Sequence, residues 1–231
     1  MKYKPYNLKD VYDASAQEKF KVISTFAGGG GSSTGYRLAG GKVLCVNEFV
    51  EEAVNTYKEN YPDTPILSGD IKALTGQDFL DAAGVGVGEI DILDGSPPCS
   101  AFSVAGKLSH NSLEEERVDL FGNVTLEKVS GKHSDGWNQT KNYSDGKTVE
   151  NIEDLFFEFL RIAEEIKPKV IIAENVKGLT IGEARQMYNK ILKTFESIGY
   201  DVCAQVLDSR YYGVSQTRTR VIFIAVREDV A

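Results

Sequence analysis

Residues 21–41 read KVISTFAGGGGSSTGYRLAGG, and this stretch decides the fold. The first six residues, KVISTF, form a short, mostly apolar, β-favouring run, which predicts a buried strand. Ala27 and then four glycines follow. A chain that reverses at a strand end, or lets a ligand approach its backbone, needs residues without a Cβ. Residues 33–39 continue as a helix stopped by Gly40 and Gly41.

Outward from this unit the alternation repeats. Strands are predicted at 42–47 (KVLCVN), 66–67, 90–94 (IDILD) and 169–173 (KVIIA). Helices are predicted at 50–60, 77–83, 152–166 and 184–198, with Tyr61-Pro62 ending the first and Gly199 capping the last. Strand and helix in regular exchange specify an α/β fold, a doubly wound and mostly parallel sheet. The last two strands, 202–207 and 220–226, have no helix between them and are expected to pair antiparallel. Residues 1–19 read as an N-terminal extension, and 20–231 as one domain. A polar stretch at about 109–150, with four glycines and no sustained period, breaks the rhythm and is too long for a routine connection. Two readings stay open for it, a surface insertion or a mobile lid beside a site.

Composition removes several classes. The chain has 231 residues, enough for a full core, with 26 basic and 34 acidic side chains and a net charge of −8. No apolar run is long enough for a membrane span, and the first residues lack a signal-peptide core. The three cysteines, Cys45, Cys99 and Cys203, are far apart and form no CxxC pair, which argues against a zinc site or a disulfide framework and for a reducing, cytoplasmic setting. Cys45 and Cys203 lie within apolar strands and read as core packing. Both histidines, His110 and His133, fall in the polar stretch, so acid–base chemistry is expected to rest on carboxylates, arginines or water.

The glycine loop sits at the carboxyl edge of the sheet, where open α/β folds bind ligands, often nucleotides. The dinucleotide pattern GxGxxG fails, because Ser33 or Thr34 stands at its third glycine, and the phosphate-loop pattern fails at Tyr36. Glu48, twenty residues after Gly28, ends the second strand, where an acid accepts hydrogen bonds from ribose. Asp70 ends the third and is placed to meet an adenine edge. An adenosine without phosphates fits this set, and S-adenosylmethionine is such a ligand with a positive sulfonium.

Residues 95–103 read GSPPCSAFS. Two prolines stiffen the loop that presents Cys99, and a nearby cation or helix N-terminus would raise its thiolate fraction. Glu174 closes strand 169–173 at the same edge, where desolvation favours a protonated, proton-donating form. Arg218 and Arg220 alternate before the last strand and so face one side.

With these residues assembled, the chain resembles the C5-cytosine DNA methyltransferase family. The resemblance rests on FAGGGG at 26–31, Glu48, GDI at 69–71, GSPPCSAFS at 95–103, ENVKG at 174–178 and QTRTR at 216–220, in the family's order. Ser100 departs from it, since glutamine usually follows the cysteine. The resemblance implies a class I, Rossmann-like S-adenosylmethionine-dependent methyltransferase without a metal. Phe26, Gly28, Gly30, Glu48, Phe49, Asp70 and Ile71 would hold the cofactor. Cys99 would attack C6 of a flipped cytosine, Glu174 would serve N3, and Arg220 with Arg218 would bind O2. Pro97, Pro98, Ser100 and Asn175 would shape the substrate loop. Double-stranded DNA is the implied partner, in a restriction-modification setting, with a nucleoid-associated place if the source is bacterial or phage.

The family continues past QxRxR into a target-recognition region and a returning segment. A truncated chain, a split enzyme completed by a second chain, and a degenerate relative are the three expectations that follow. Three alternatives to a self-sufficient DNA enzyme stay open: a cofactor-binding or regulatory subunit that needs a recognition partner, a nicotinamide-dependent oxidoreductase, and a tRNA-directed relative. Residues 21–108 carry 6 basic and 11 acidic side chains, whereas 201–231 is balanced at four and four. The acidity therefore belongs to the cofactor half.

Overall fold

The computed structural model describes residues 5–98, 114–118, 124–128, 141–142, 148–149 and 154–230. Seven strands form one sheet: β1 (Lys21–Thr25), β2 (Lys42–Glu48), β3 (Ile66–Ser68), β4 (Ile92–Gly95), β9 (Val170–Val176), β10 (Tyr200–Asp208) and β11 (Thr219–Arg227). Their order is β10-β11-β9-β4-β1-β2-β3. Pairings from β3 to β9 are parallel, and β11 is antiparallel to both β9 and β10. The expected antiparallel last pair is present, and β11 fills the place between β9 and β10.

Alternation splits the core into two layers. Val22, Val43 and Val46 pack with Val11 of α1 (Leu8–Ser15) and with Tyr57 and Tyr61 at the end of α3 (Glu51–Asn60). Ile23, Leu93, Ile171, Phe223 and Ala225 pack with α4 (Gly76–Ala83), α5 (Leu155–Ile166) and α6 (Arg185–Ser197). Phe156 of α5 meets Phe223 of β11 edge-on at 5.5 Å, a favoured aromatic geometry. The glycine loop leads into α2 (Gly31–Leu38), on the first face.

Three features differ from the sequence reading. Residues 8–15 form α1, started by a reciprocal capping box in which Asn7 and Asp10 each accept the other's backbone N–H. Within the polar stretch, β5 (Glu114–Val118) pairs with β6 (Val124–Lys128), and β7 (Lys141–Asn142) with β8 (Thr148–Val149), as two small antiparallel sheets separate from the central one. His110, His133 and the rest of that stretch lie outside the described residues. Cys203 is exposed rather than core, because β10 is an edge strand and Cys203 lies on its outward row. Cys45 is buried, and burial pushes its thiol up to about 12. Among the described residues no helix is long and apolar enough to cross a membrane.

Candidate active site

β1, β2, β3 and β4 end at one edge of the sheet, and their ends enclose a cavity of about 180 Å³. Its walls are Phe26, Asn47, Glu48, Phe49, Gly69, Asp70, Ile71, Ser96, Pro98 and Leu155. Aromatic and aliphatic groups suit a flat base, and two carboxylates suit hydroxyl and amine donors. Among the described residues no lysine or arginine lines the cavity.

Glu48 is 7% exposed and organises the cavity floor. Oε2 accepts from Gly28 N at 2.7 Å, while Oε1 accepts from Phe49 N and Val50 N, both at 2.8 Å. One carboxylate thus ties the glycine loop to the end of β2. A carboxylate has about four acceptor sites, so Oε2 keeps room for one hydroxyl. Asp70 caps the short 3₁₀ turn Ile71–Ala73 by accepting from Lys72 N at 3.0 Å. Its second oxygen has no hydrogen-bond partner among the described residues.

Gly28 and Gly30, the two predicted cofactor glycines, have different jobs. Both have positive φ, +56° and +96°. Gly28 donates its N–H to Glu48, and a Cβ there would meet nothing. A Cβ on Gly30 would stand 2.9 Å from the Tyr61 ring, so Gly30 lets α3 pack closely; neither glycine is among the described walls of the cavity. Phe26 holds φ +52°, the left-handed region that a β-carbon disfavours, and lines the cavity from there.

The sequence reading missed Asn47, Gly69, Ser96 and Leu155 as cavity walls. Asn47 is 2% exposed and donates to Leu67 O at 2.8 Å and Gly69 O at 3.0 Å. It clamps the end of β2 to that of β3 and sets the spacing between Glu48 and Asp70. Its signal in the sequence is a polar residue at the end of an apolar strand.

A second cluster lies further along the same edge. Arg220 Nε is 2.7 Å from Glu174 Oε1, and Arg218 Nη2 is 3.5 Å from the same oxygen. The structure thus brings together the three charged residues picked from the sequence. It also corrects the picture of a lone desolvated acid, because Glu174 is ion-paired. Glu174 Oε2 has no partner among the described residues. Asn175, 3% exposed, donates to Pro97 O at 3.2 Å and accepts from Val176 N, so β9 holds the proline loop. Pro98 lines the cavity and links the two clusters. Cys99 and Ser100, next in the chain, lie outside the described residues.

Fold and cavity together define a doubly wound α/β protein of the Rossmann-like type, with a nucleoside-sized recess at the carboxyl edge and a carboxylate–arginine cluster beside it. The model of the C-5 cytosine-specific DNA methylase family matches residues 20–126 and 140–231, and the chain belongs to that family. Type II methyltransferase M.NgoPII of Neisseria gonorrhoeae is 30% identical over 210 residues, covering 91% of this chain and 49% of that protein. M.AquIA of Picosynechococcus sp., also a type II methyltransferase, is 31% identical over 218 residues, covering 90% of this chain and 72% of that one. The chain spans less than half the length of the first curated relatives it matches, from 40% to 49%. In fold it is similar to a protein described as a DNA modification methyltransferase encoded within an E. coli prophage. The TM-score is 0.65 at 23% identity, over 92% of this chain and 48% of that one.

Proposed function

We propose that the protein transfers a methyl group from S-adenosylmethionine to C5 of a cytosine flipped out of double-stranded DNA, through a covalent adduct on Cys99. The observation that carries this reading is the Glu174–Arg220–Arg218 cluster, tied through Asn175 to the proline loop that precedes Cys99. The adenosine-type cavity beside it supports the cofactor assignment. S-adenosylmethionine, when bound, supplies an electrophilic methyl group.

The chain's own residues do the rest. Phe26, Phe49 and Ile71 flank the base, Glu48 accepts from the ribose, and Asp70 meets the adenine edge. A flipped cytosine, extruded at a cost of a few kcal/mol, enters beside Glu174. Arg220, backed by Arg218, binds O2, while Glu174 Oε2 engages N3 and limits charge on the ring. The Cys99 thiolate bonds to C6, and the displaced electron pair makes C5 nucleophilic. After C5 is methylated, loss of its proton returns a pair to the ring and expels the thiolate. No step needs a histidine or a metal.

Cys99→Ser should abolish tritiated-methyl transfer to DNA while calorimetry still records cofactor binding. Normal turnover by that variant would end the proposal. A second reading is a catalytic subunit that needs another chain for target recognition. The M.AquIA match favours keeping it, since a type II methyltransferase much nearer to this length carries the same segment. Methyl transfer by the purified chain alone, against transfer only after a recognition chain is added, separates the two.

A further inference from the structure

Asp70 and Ile71 line the cavity, yet they lie on the connection between β3, which ends at Ser68, and α4, which starts at Gly76. Asn47 holds the start of that connection through Gly69 O. Arg161, on α5, holds the rest. Its Nη2 donates to Ile71 O at 3.2 Å and to Leu74 O at 2.9 Å, two carbonyls that bracket the 3₁₀ turn. The remainder of the guanidinium is fixed on its own helix, where Nε donates to Glu158 and Nη1 to Glu165, both at 2.8 Å. Glu165 uses its other oxygen to accept from Gly76 N, at the first residue of α4. Gly76 leaves no room for a side chain at this joint, since a Cβ there would stand 2.5 Å from Glu165 Cβ.

Stability alone does not account for this network. The side chains of Arg161, Glu158 and Glu165 are 33%, 28% and 38% exposed, and ion pairs so open to solvent contribute little. Their effect is geometric. A guanidinium is planar, with its donors in a rigid fork. The two carboxylates on α5 set that plane, and the plane sets where the carbonyls of residues 71 and 74 can lie. The same helix begins with Leu155, another cavity wall. Helix α5 thus supplies one wall and fixes the place of a second. Asp70 stands one residue before the clamped turn, and its Oδ1 accepts from Lys72 N within it. A shift of the turn therefore carries the Asp70 carboxylate with it.

We propose that Arg161 is a positioning residue for base selection: by clamping Ile71 and Leu74 it aims the second Asp70 oxygen at the 6-amino group of the cofactor's adenine. The proposal rests on the cofactor reading above. A carboxylate accepts a hydrogen bond from an exocyclic amine and is repelled by the carbonyl oxygen that hypoxanthine carries at the same position. Selectivity between the two bases therefore depends on where the turn holds Asp70.

Calorimetry on the full chain tests it, with S-adenosylhomocysteine and its deaminated form, S-inosylhomocysteine. The wild type should prefer the adenine ligand by at least roughly tenfold, the order of one hydrogen bond to a charged group. Arg161→Gln and Arg161→Lys should both bring that preference within about threefold, by weakening the adenine ligand while the hypoxanthine ligand changes less than about twofold. Lysine keeps the charge and can pair with Glu158 or Glu165, but it lacks the planar fork. A lysine variant with the wild-type preference would mean that only the ion pairs count, and it overturns the proposal. Parallel weakening of both ligands in the folded variants overturns it too, as the mark of a merely structural role, and leaves the cofactor reading intact. Equal wild-type affinity for the two bases overturns it without any variant. Failure of the wild type to bind either ligand would instead remove the cofactor reading, and the proposal with it.

Discussion

The four consecutive glycines of the loop after β1 should respond differently to alanine, and the differences follow from what surrounds each one. Gly30 has φ +96°, and an added Cβ would lie 2.9 Å from Tyr61 Cε2 and 3.2 Å from two atoms of the Tyr57 ring. The left-handed backbone costs an L-residue about 1–2 kcal/mol. The rings cannot retreat easily, since Tyr57 is 0% and Tyr61 2% exposed and the Arg37 guanidinium lies 3.9 Å over Tyr61. Overpacking of that kind adds about 1–3 kcal/mol. Gly30→Ala should therefore lose roughly 2–5 kcal/mol. For a chain of this size that is on the order of 10 °C in Tm. Gly28, at φ +56° with open space, should lose only the conformational part, about 1–2 kcal/mol. Gly29 would press its Cβ on Thr56 Cγ2 at 3.0 Å, a movable methyl, and should rank below Gly28 in cost. Gly31 opens α2 with nothing within 4 Å, so alanine there should stabilise by about 0.5 kcal/mol. Urea unfolding of the four variants gives the order directly. Equal midpoints for Gly30→Ala and Gly31→Ala, or a larger loss at Gly28 than at Gly30, would refute the assignment of Gly30 to helix packing.

Other perturbations follow from single contacts. Glu48→Gln replaces an oxygen that accepts backbone N–H with a donor, so cofactor affinity should fall roughly 10- to 100-fold by calorimetry, in line with about 1–3 kcal/mol for an unsatisfied buried group. Arg37 is 4% exposed, donates to Tyr57 OH and Thr64 Oγ1, and covers Tyr61. Lysine cannot reproduce that fork, and Arg37→Lys should cost about 2 kcal/mol in urea unfolding. The Asp208 carboxyl is held below the usual range by the Arg210 side chain first, then by Arg210 N–H and Thr219. Its folded pKa is depressed, so its stabilisation exists above the ordinary Asp value near 4 and vanishes as pH falls through the folded one. Asp208→Asn should accordingly lower Tm at pH 7 and matter progressively less as pH falls below the ordinary Asp value.

Strong periodicity and punctuation made most of the sheet legible in the sequence. The pairing of β10 with β11 could be foreseen because no helix separates them, and Glu174 and the arginines because both motifs end or begin strands at one edge. What escaped is what depends on distant partners. Helix α1 buries a single residue, Val11, so it has no apolar stripe to read, and its only sign is the Asn7–Asp10 cap. Asn47 acts on carbonyls of residues 67 and 69, which no local pattern connects to it. Gly30 looks like its neighbours until the Tyr57 and Tyr61 rings arrive from α3, and Cys203 looks like core until β10 is known to be an edge.

The one reversed strand explains why two arginines from the end of the chain reach an acid on β9. Strand β11 runs from Thr219 to Arg227, a rise of about 27 Å at roughly 3.4 Å per residue. A parallel strand there would start at the opposite edge and leave Arg220 that far from Glu174. Because β11 is antiparallel, Arg220 starts it at the carboxyl edge, in register with Val176, with Ile222 opposite Glu174. Arg220 then makes the 2.7 Å contact with its side chain 27% exposed, whereas Arg218 is 54% exposed at 3.5 Å. Solvent screening weakens the outer pair more. Arg220→Ala should cost about 1 kcal/mol of stability, and Arg218→Ala close to nothing. Methyl transfer should fall further in the first variant than in the second. If the Arg218 variant loses more on both counts, Arg220 is not the residue that holds Glu174 in place.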